Sequence, residues 1–97
     1  MDDDCDFEMS VEDVAGTTRG QTRLGGRVTG SSWIRRCRSE LVVNGVVIAH
    51  ITVSEEVLDP PPRNFRSVST ADPIDVEFIR AHLGKCRLRG LSSRSRN

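Results

Sequence analysis

Residues 41–53, LVVNGVVIAHITV, hold two apolar stretches that meet at Asn44-Gly45. Asn-Gly accepts positive φ at both central positions of a type I′ turn, so the dipeptide predicts a tight two-residue hairpin. Val43 then faces Val46, Val42 faces Val47, and Leu41 faces Ile48. One side of the ribbon carries Leu41, Val43, Val46 and Ile48. The other carries Val42, Val47, Ala49, Ile51 and Val53. Both sides are apolar, so the ribbon must be covered twice, as in a closed barrel, a sandwich or an interface.

The rest of the chain fits a small β domain. Phe7, Met9, Val11 and Val14 are separated by polar residues such as Glu8, Ser10 and Glu12, the pattern of a half-buried strand. Gly16 and Gly20 mark a turn. Leu24, Gly26 and Val28 alternate with Arg23, Gly25 and Arg27, a second strand whose glycines suggest a bulge or a corner. Residues 54–70 contain Pro60, Pro61 and Pro62, which cannot join a ladder, and read as a stiff loop. In ADPIDVEFIRAHLGK, Asp72 as N-cap, Pro73 at the first helical position and Gly84 at the end predict a helix over 73–83. The alternation of Ile74, Val76 and Phe78 also fits a strand. With 97 residues and 4% aromatics, the expectation is one barrel domain over 7–91 with an aliphatic core. It sits between an acidic disordered head at 1–6 and a basic tail, read as mobile from about 87 and ending at 92–97.

Formal charge sums to zero but is segregated. Residues 1–13 carry Asp2, Asp3, Asp4, Asp6, Glu8, Glu12 and Asp13 and no base. Residues 14–38 carry Arg19, Arg23, Arg27, Arg35, Arg36 and Arg38 and no acid. Lys85 is the only lysine. Arginine favours bidentate contacts to phosphate or carboxylate. Cys5, Cys37 and Cys86 are odd in number and widely spaced, which predicts reduced thiols in a cytoplasmic protein. No apolar run reaches the length of a membrane span.

The motif FEMSVEDV at 7–14, with Arg19-Gly20, Gly26-Arg27-Val28, Gly30, the strand-turn-strand of 41–51 and Arg89-Gly90, resembles the small β-barrel that forms the second domain of elongation factor Tu and other translational GTPases. The matching positions are Phe7, Val11, Asp13 and Val14 in the first strand and the glycines named. Ser39-Glu40 stands where that family has Gly-Asp, and a strand of that family falls where the capped helix is predicted here. The resemblance implies a binding barrel without nucleotide chemistry, since no P-loop is present. In that family the barrel meets the acceptor end of a charged tRNA and the ribosome.

Function is therefore expected to be non-catalytic binding. The candidate nucleic-acid contacts are Arg19, Arg23, Arg27, Arg35, Arg36 and Arg38, expected to gather as one positive face, together with Arg87 and Arg89 of the basic tail, for RNA or the ribosome. The alternative is a protein-interaction or oligomerisation module, in which the hairpin 41–53 pairs with an acidic protein or a second copy. His50 and His82 have no catalytic partner at a telling spacing and read as structural. No cofactor, metal, membrane or small-molecule substrate is indicated.

Overall fold

Asn44 and Gly45 adopt φ of 52° and 78°, and the predicted hairpin forms around them. The computed structural model describes residues 5–17, 19–30, 33–56 and 65–91. Its elements are β1 (Phe7–Gly16), β2 (Thr22–Gly30), β3 (Cys37–Val43), β4 (Val46–Glu55), β5 (Arg66–Thr70), α1 (Val76–Ala81) and β6 (Cys86–Gly90). All strand pairs are antiparallel. The order β1-β2-β5-β4-β3-β6 closes on itself, so the mostly-β barrel expected from the sequence is present.

The hairpin register holds for two pairs and then slips. Val43 faces Val46 and Val42 faces Val47, but Leu41 faces Ala49, not Ile48. The bulge adds one residue to β4, and with a side-chain period of two this exchanges faces. Ala49, Ile51 and Val53 thereby leave the side of Val42 and join Leu41, Ser39 and Cys37. Leu41, Ile51 and Val53 are buried, whereas Val46, Val47 and Ile48 are exposed. The two-sided apolar hairpin is thus resolved into an inward base and an outward tip.

A second bulge lies in β1 at Glu12, between Val11 opposite Gly26 and Asp13 opposite Gly25. It explains why Phe7, Met9 and Val11 are followed in the core by Val14 and not by Asp13. Gly26 permits the close approach. A methyl group there would lie 1.6 Å from the Ser10 carbonyl oxygen. The barrel interior is filled by Met9, Val11, Leu24, Leu41, Val53, Val68 and Leu88, all fully buried.

Three expectations are corrected. The loop predicted at 54–70 is narrower, because β4 runs to Glu55 and Arg66–Thr70 forms β5; the prolines lie outside the described residues. The helix begins three residues late, at Val76, and ends at Ala81. Asp75 caps it by accepting from the Phe78 N–H at 3.1 Å. Asp72 is drawn away to β4, where its Oδ2 accepts from the Thr52 N–H at 2.7 Å and the Thr70 hydroxyl at 3.2 Å. Finally, residues 87–90 of the stretch read as a mobile basic tail belong to β6, the strand that joins β1 to β3. Residues 1–4 of the head and 92–97 of the tail lie outside the described residues.

The cysteine reading is also corrected. Cys5 and Cys37 form a disulfide with a Cα–Cα distance of 5.6 Å and a sequence separation of 32. The bond joins the residues just before β1 and at the start of β3, the two strands flanking β6. A loop of that size gains about 3–4 kcal/mol from cross-linking. Cys86 is free and buried. Burial pushes its thiol up to about 11, which keeps it protonated and unreactive at neutral pH.

Candidate nucleic-acid interface

Pairing with glutamate divides the arginines. On the barrel wall, outward residues of neighbouring strands lie side by side, and opposite charges there attract. Glu8 lies between Thr29 of β2 and Arg89 of β6, and its carboxylate accepts from Arg87. Glu40 faces both Arg89 and His50. It accepts from Arg89 Nη2 at 3.0 Å and Nε at 3.2 Å, and lies 3.7 Å from His50 Nε2. Arg23 contacts Glu56 at 2.7 Å, and Arg27 lies 3.7 Å from Glu12. Such exposed pairs stabilise by only about 0.2–1 kcal/mol each. Their larger consequence is that Arg23, Arg27, Arg87 and Arg89 are locally neutralised.

Arg19, Arg35, Arg36 and Arg38 are exposed, and no carboxylate pairs with them among the described residues. Of the eight arginines named from the sequence, these four carry charge that no described carboxylate offsets. Arg36 occupies a groove of about 410 Å³ on the outer wall with Gln21, Thr52, Ser54, Ser69, Ala71 and Asp72. Arg38 is the cross-strand neighbour of Thr52, so it flanks the same groove. Arg19 stands two residues before Gln21, in the turn closed by Thr17 N–H donating to the Gln21 carbonyl at 2.8 Å.

The backbone shapes this site. Arg36 has φ of 51°, a left-handed conformation that costs a non-glycine residue about 1–2 kcal/mol. It is held on both sides. Ile34 is clamped to Glu55 by two bonds, the Glu55 N–H to the Ile34 carbonyl at 2.8 Å and the Ile34 N–H to Glu55 Oε1 at 3.1 Å. Cys37 is fixed by its disulfide and by pairing with Val53. Glu55 is itself held by Arg66, whose Nε and Nη2 donate at 2.7 and 3.0 Å. The groove thus offers one guanidinium, three hydroxyls, an amide and the Asp72 carboxylate. Asp72 Oδ2 is already engaged by the Thr52 N–H and the Thr70 hydroxyl, so Arg36 is the group there that would meet an anion.

Comparison with protein-family models, curated proteins and solved structures finds no match to this chain. What the site can do must be argued from its own chemistry. Among the described residues no three His, Cys, Asp or Glu side chains gather as a metal-binding set. His82 stacks on Phe78 with ring centroids 4.3 Å apart, and its Nδ1 lies 2.8 Å from the Phe78 carbonyl. This is a helix-end contact.

A second surface was only half visible in the sequence. Val46, Val47 and Ile48 at the hairpin tip are 62%, 39% and 43% exposed, and Phe78 is 40% exposed. Ile48 and Phe78 border an apolar groove of about 200 Å³ with Ala49, Pro73 and Ile74. Strand β4 meets β5 only through Ser54 opposite Ser69 and Glu55 opposite Val68. The outward tip could not be read from the sequence because the bulge that creates it leaves no local signal.

Proposed function

We propose that this protein is a non-catalytic module that binds the phosphodiester backbone of RNA, alone or within a ribonucleoprotein such as the ribosome. The observation that carries the reading is the sorting of the arginines. Glutamates pair with one set, and two of the remaining arginines, Arg36 and Arg38, border a groove lined by three hydroxyls and Asp72. Arg36 and Arg38 supply charge to phosphate oxygens, and Thr52, Ser54, Ser69 and Gln21 supply hydrogen bonds to phosphate or ribose. Contacts of this kind position a nucleic acid without reading its sequence. The resemblance of 7–91 to the second-domain barrel of translational GTPases points the same way.

The test is binding of single-stranded RNA, tRNA and duplex DNA across a salt series. Three or four phosphate contacts on a single strand predict a slope of log K against log salt of about −2 to −3. Replacing Arg35, Arg36 and Arg38 together with alanine is expected to lower affinity more than tenfold at low salt. Replacing Arg23, Arg27, Arg87 and Arg89 should lower it less than threefold. Equal losses from the two sets, or no binding of wild-type protein at low salt, would refute the assignment.

The exposed tip supports a second reading, protein interaction or self-association. Burying Val46, Val47, Ile48 and Phe78 against a partner removes apolar surface that water now covers. Sedimentation at rising concentration checks it. A dimer insensitive to salt and abolished by Ile48→Lys would favour this reading over RNA binding.

A further inference from the structure

The groove that holds Arg36 is sorted by charge across its width. On the β3 side stand cations: Arg38 is the cross-strand neighbour of Thr52, and Arg36 precedes Cys37, the neighbour of Val53. On the β5 side, two residues past the end of that strand, stands Asp72. Between the flanks run Thr52 and Ser54 of β4, on the same outer face and about 7 Å apart along the strand. Ser54 is in turn the neighbour of Ser69 on β5. A carboxylate repels phosphate, so a site for anions alone is weakened by having one.

Asp72 is firmly held. Its Oδ2 accepts from the Thr52 N–H at 2.7 Å and from the Thr70 hydroxyl at 3.2 Å, and its own N–H donates to Thr70 Oγ1 at 3.1 Å. Thr70 is buried in the barrel, so the carboxylate is anchored in one orientation. Both accepted bonds fall on Oδ2, and no described group donates to Oδ1. Asp72 is half-buried and keeps contact with solvent. Capping the Thr52 N–H needs one acceptor atom and no charge, and an asparagine oxygen would serve. The carboxylate adds a second, charged acceptor that only a hydrogen-bond donor can satisfy.

We propose that Asp72 selects ribose over deoxyribose in this groove: Arg36 and Arg38 meet phosphate oxygens, and Asp72 Oδ1 accepts the 2′-hydroxyl of the same strand. The proposal deepens the RNA-binding reading and rests on it. The 2′-hydroxyl is the donor that an RNA backbone has and a DNA backbone lacks. Phosphate and ribose alternate along a strand, so an anion and a hydroxyl donor follow each other within one nucleotide, as the cations and the carboxylate do across the groove. A hydroxyl bonded to a carboxylate is charge-assisted and stronger than its neutral counterpart. A deoxy strand leaves the carboxylate beside phosphate with no donor to offset the repulsion, so it loses a bond and keeps a penalty.

Asp72→Asn isolates the effect, because its side-chain oxygen still caps Thr52 while its amide nitrogen turns a donor toward the groove. Three fluorescent hexanucleotides titrated at low salt decide the matter: uridine, 2′-deoxyuridine and 2′-fluorouridine. The last keeps the sugar pucker of RNA but has no hydroxyl to donate. Wild-type protein should bind the uridine strand roughly tenfold tighter than either of the others, the worth of one charge-assisted hydrogen bond. In Asp72→Asn the preference should shrink below about twofold, with affinity for the deoxy strand rising as the negative charge leaves. A merely structural role for Asp72 would weaken all three strands alike and overturn the proposal. So would equal binding of the uridine and 2′-fluorouridine strands by wild type, a comparison that needs no variant; that result would leave the phosphate-binding reading standing. Wild-type protein that binds none of the strands would refute the RNA reading and the proposal together.

Discussion

Gly90 lies against the Cys5 carbonyl: a methyl group on its Cα would fall 1.9 Å from that oxygen and 2.5 Å from Cδ1 of Phe7. The clash involves backbone and a buried ring, neither of which can step aside. Gly90→Ala should therefore destabilise the fold by about 3 kcal/mol or more, as overpacking at a rigid contact does. Urea unfolding of the oxidised protein measures it. A loss below 1 kcal/mol would mean that the end of β6 is looser than described.

Glu55 ties three separate pieces of chain. Its carboxylate accepts from Arg66 and from the Ile34 N–H, and its own N–H donates to the Ile34 carbonyl. Its side chain is 7% exposed and that of Arg66 27%. Removing the acid leaves a half-buried cation, so Glu55→Ala is expected to cost about 2–3 kcal/mol, less than a fully buried pair would. Because the clamp also positions Arg36, polyanion affinity should fall with it. Unfolding and RNA titration on the same sample check both.

Arg36→Gly separates charge from fold. Glycine accepts φ of 51° without strain, so stability should hold or rise by up to about 1 kcal/mol. Affinity for RNA should drop about fivefold, the equivalent of one phosphate contact. A variant that is both less stable and unimpaired in binding would contradict the role given to this guanidinium.

Stability should decline in alkali because of Cys86. Its thiol is pushed from 9.0 to about 11 by burial. Below pH 9 the folded and unfolded chains both keep the proton, and this group contributes no slope. Between pH 9 and 11 the unfolded chain releases it first, so stability falls as pH rises, by up to about 3 kcal/mol. The measurement is urea unfolding at pH 8, 9, 10 and 11, with Cys86→Ala expected to flatten the curve over that range.

The sequence foretells what is settled by neighbours along the chain. Asn44-Gly45 fixes its turn through its own φ angles, and Phe7, Met9 and Val11 carry a strand period intact. What it hides is settled by closure. Both bulges answer to the curvature of a sheet that must meet itself; the one in β4 moves Ile51 and Val53 inward with no mark in the residues concerned, whereas the one in β1 lies opposite Gly25 and Gly26, the glycines that suggest it. Asp72 has every feature of a helix cap, yet an unsatisfied N–H on β4 claims it. The arginines show the same effect of distant neighbours. Arg87 finds Glu8 across 79 residues of chain and Arg89 finds Glu40 across 49, so charge counted along the sequence overstates the charge left at the surface. The bond between Cys5 and Cys37 likewise depends on a strand, β6, that sequence reading assigned to a tail.

That strand also imposes an order on biosynthesis. Among the described residues, 86–90 alone bridge the first and third strands, and they leave the ribosome after every other described element of the cylinder. Until then a growing polypeptide can hold its two early hairpins but must keep the flanks of β1 and β3 unpaired. Closure of the cylinder therefore waits on β6, however complete the two hairpins are before it.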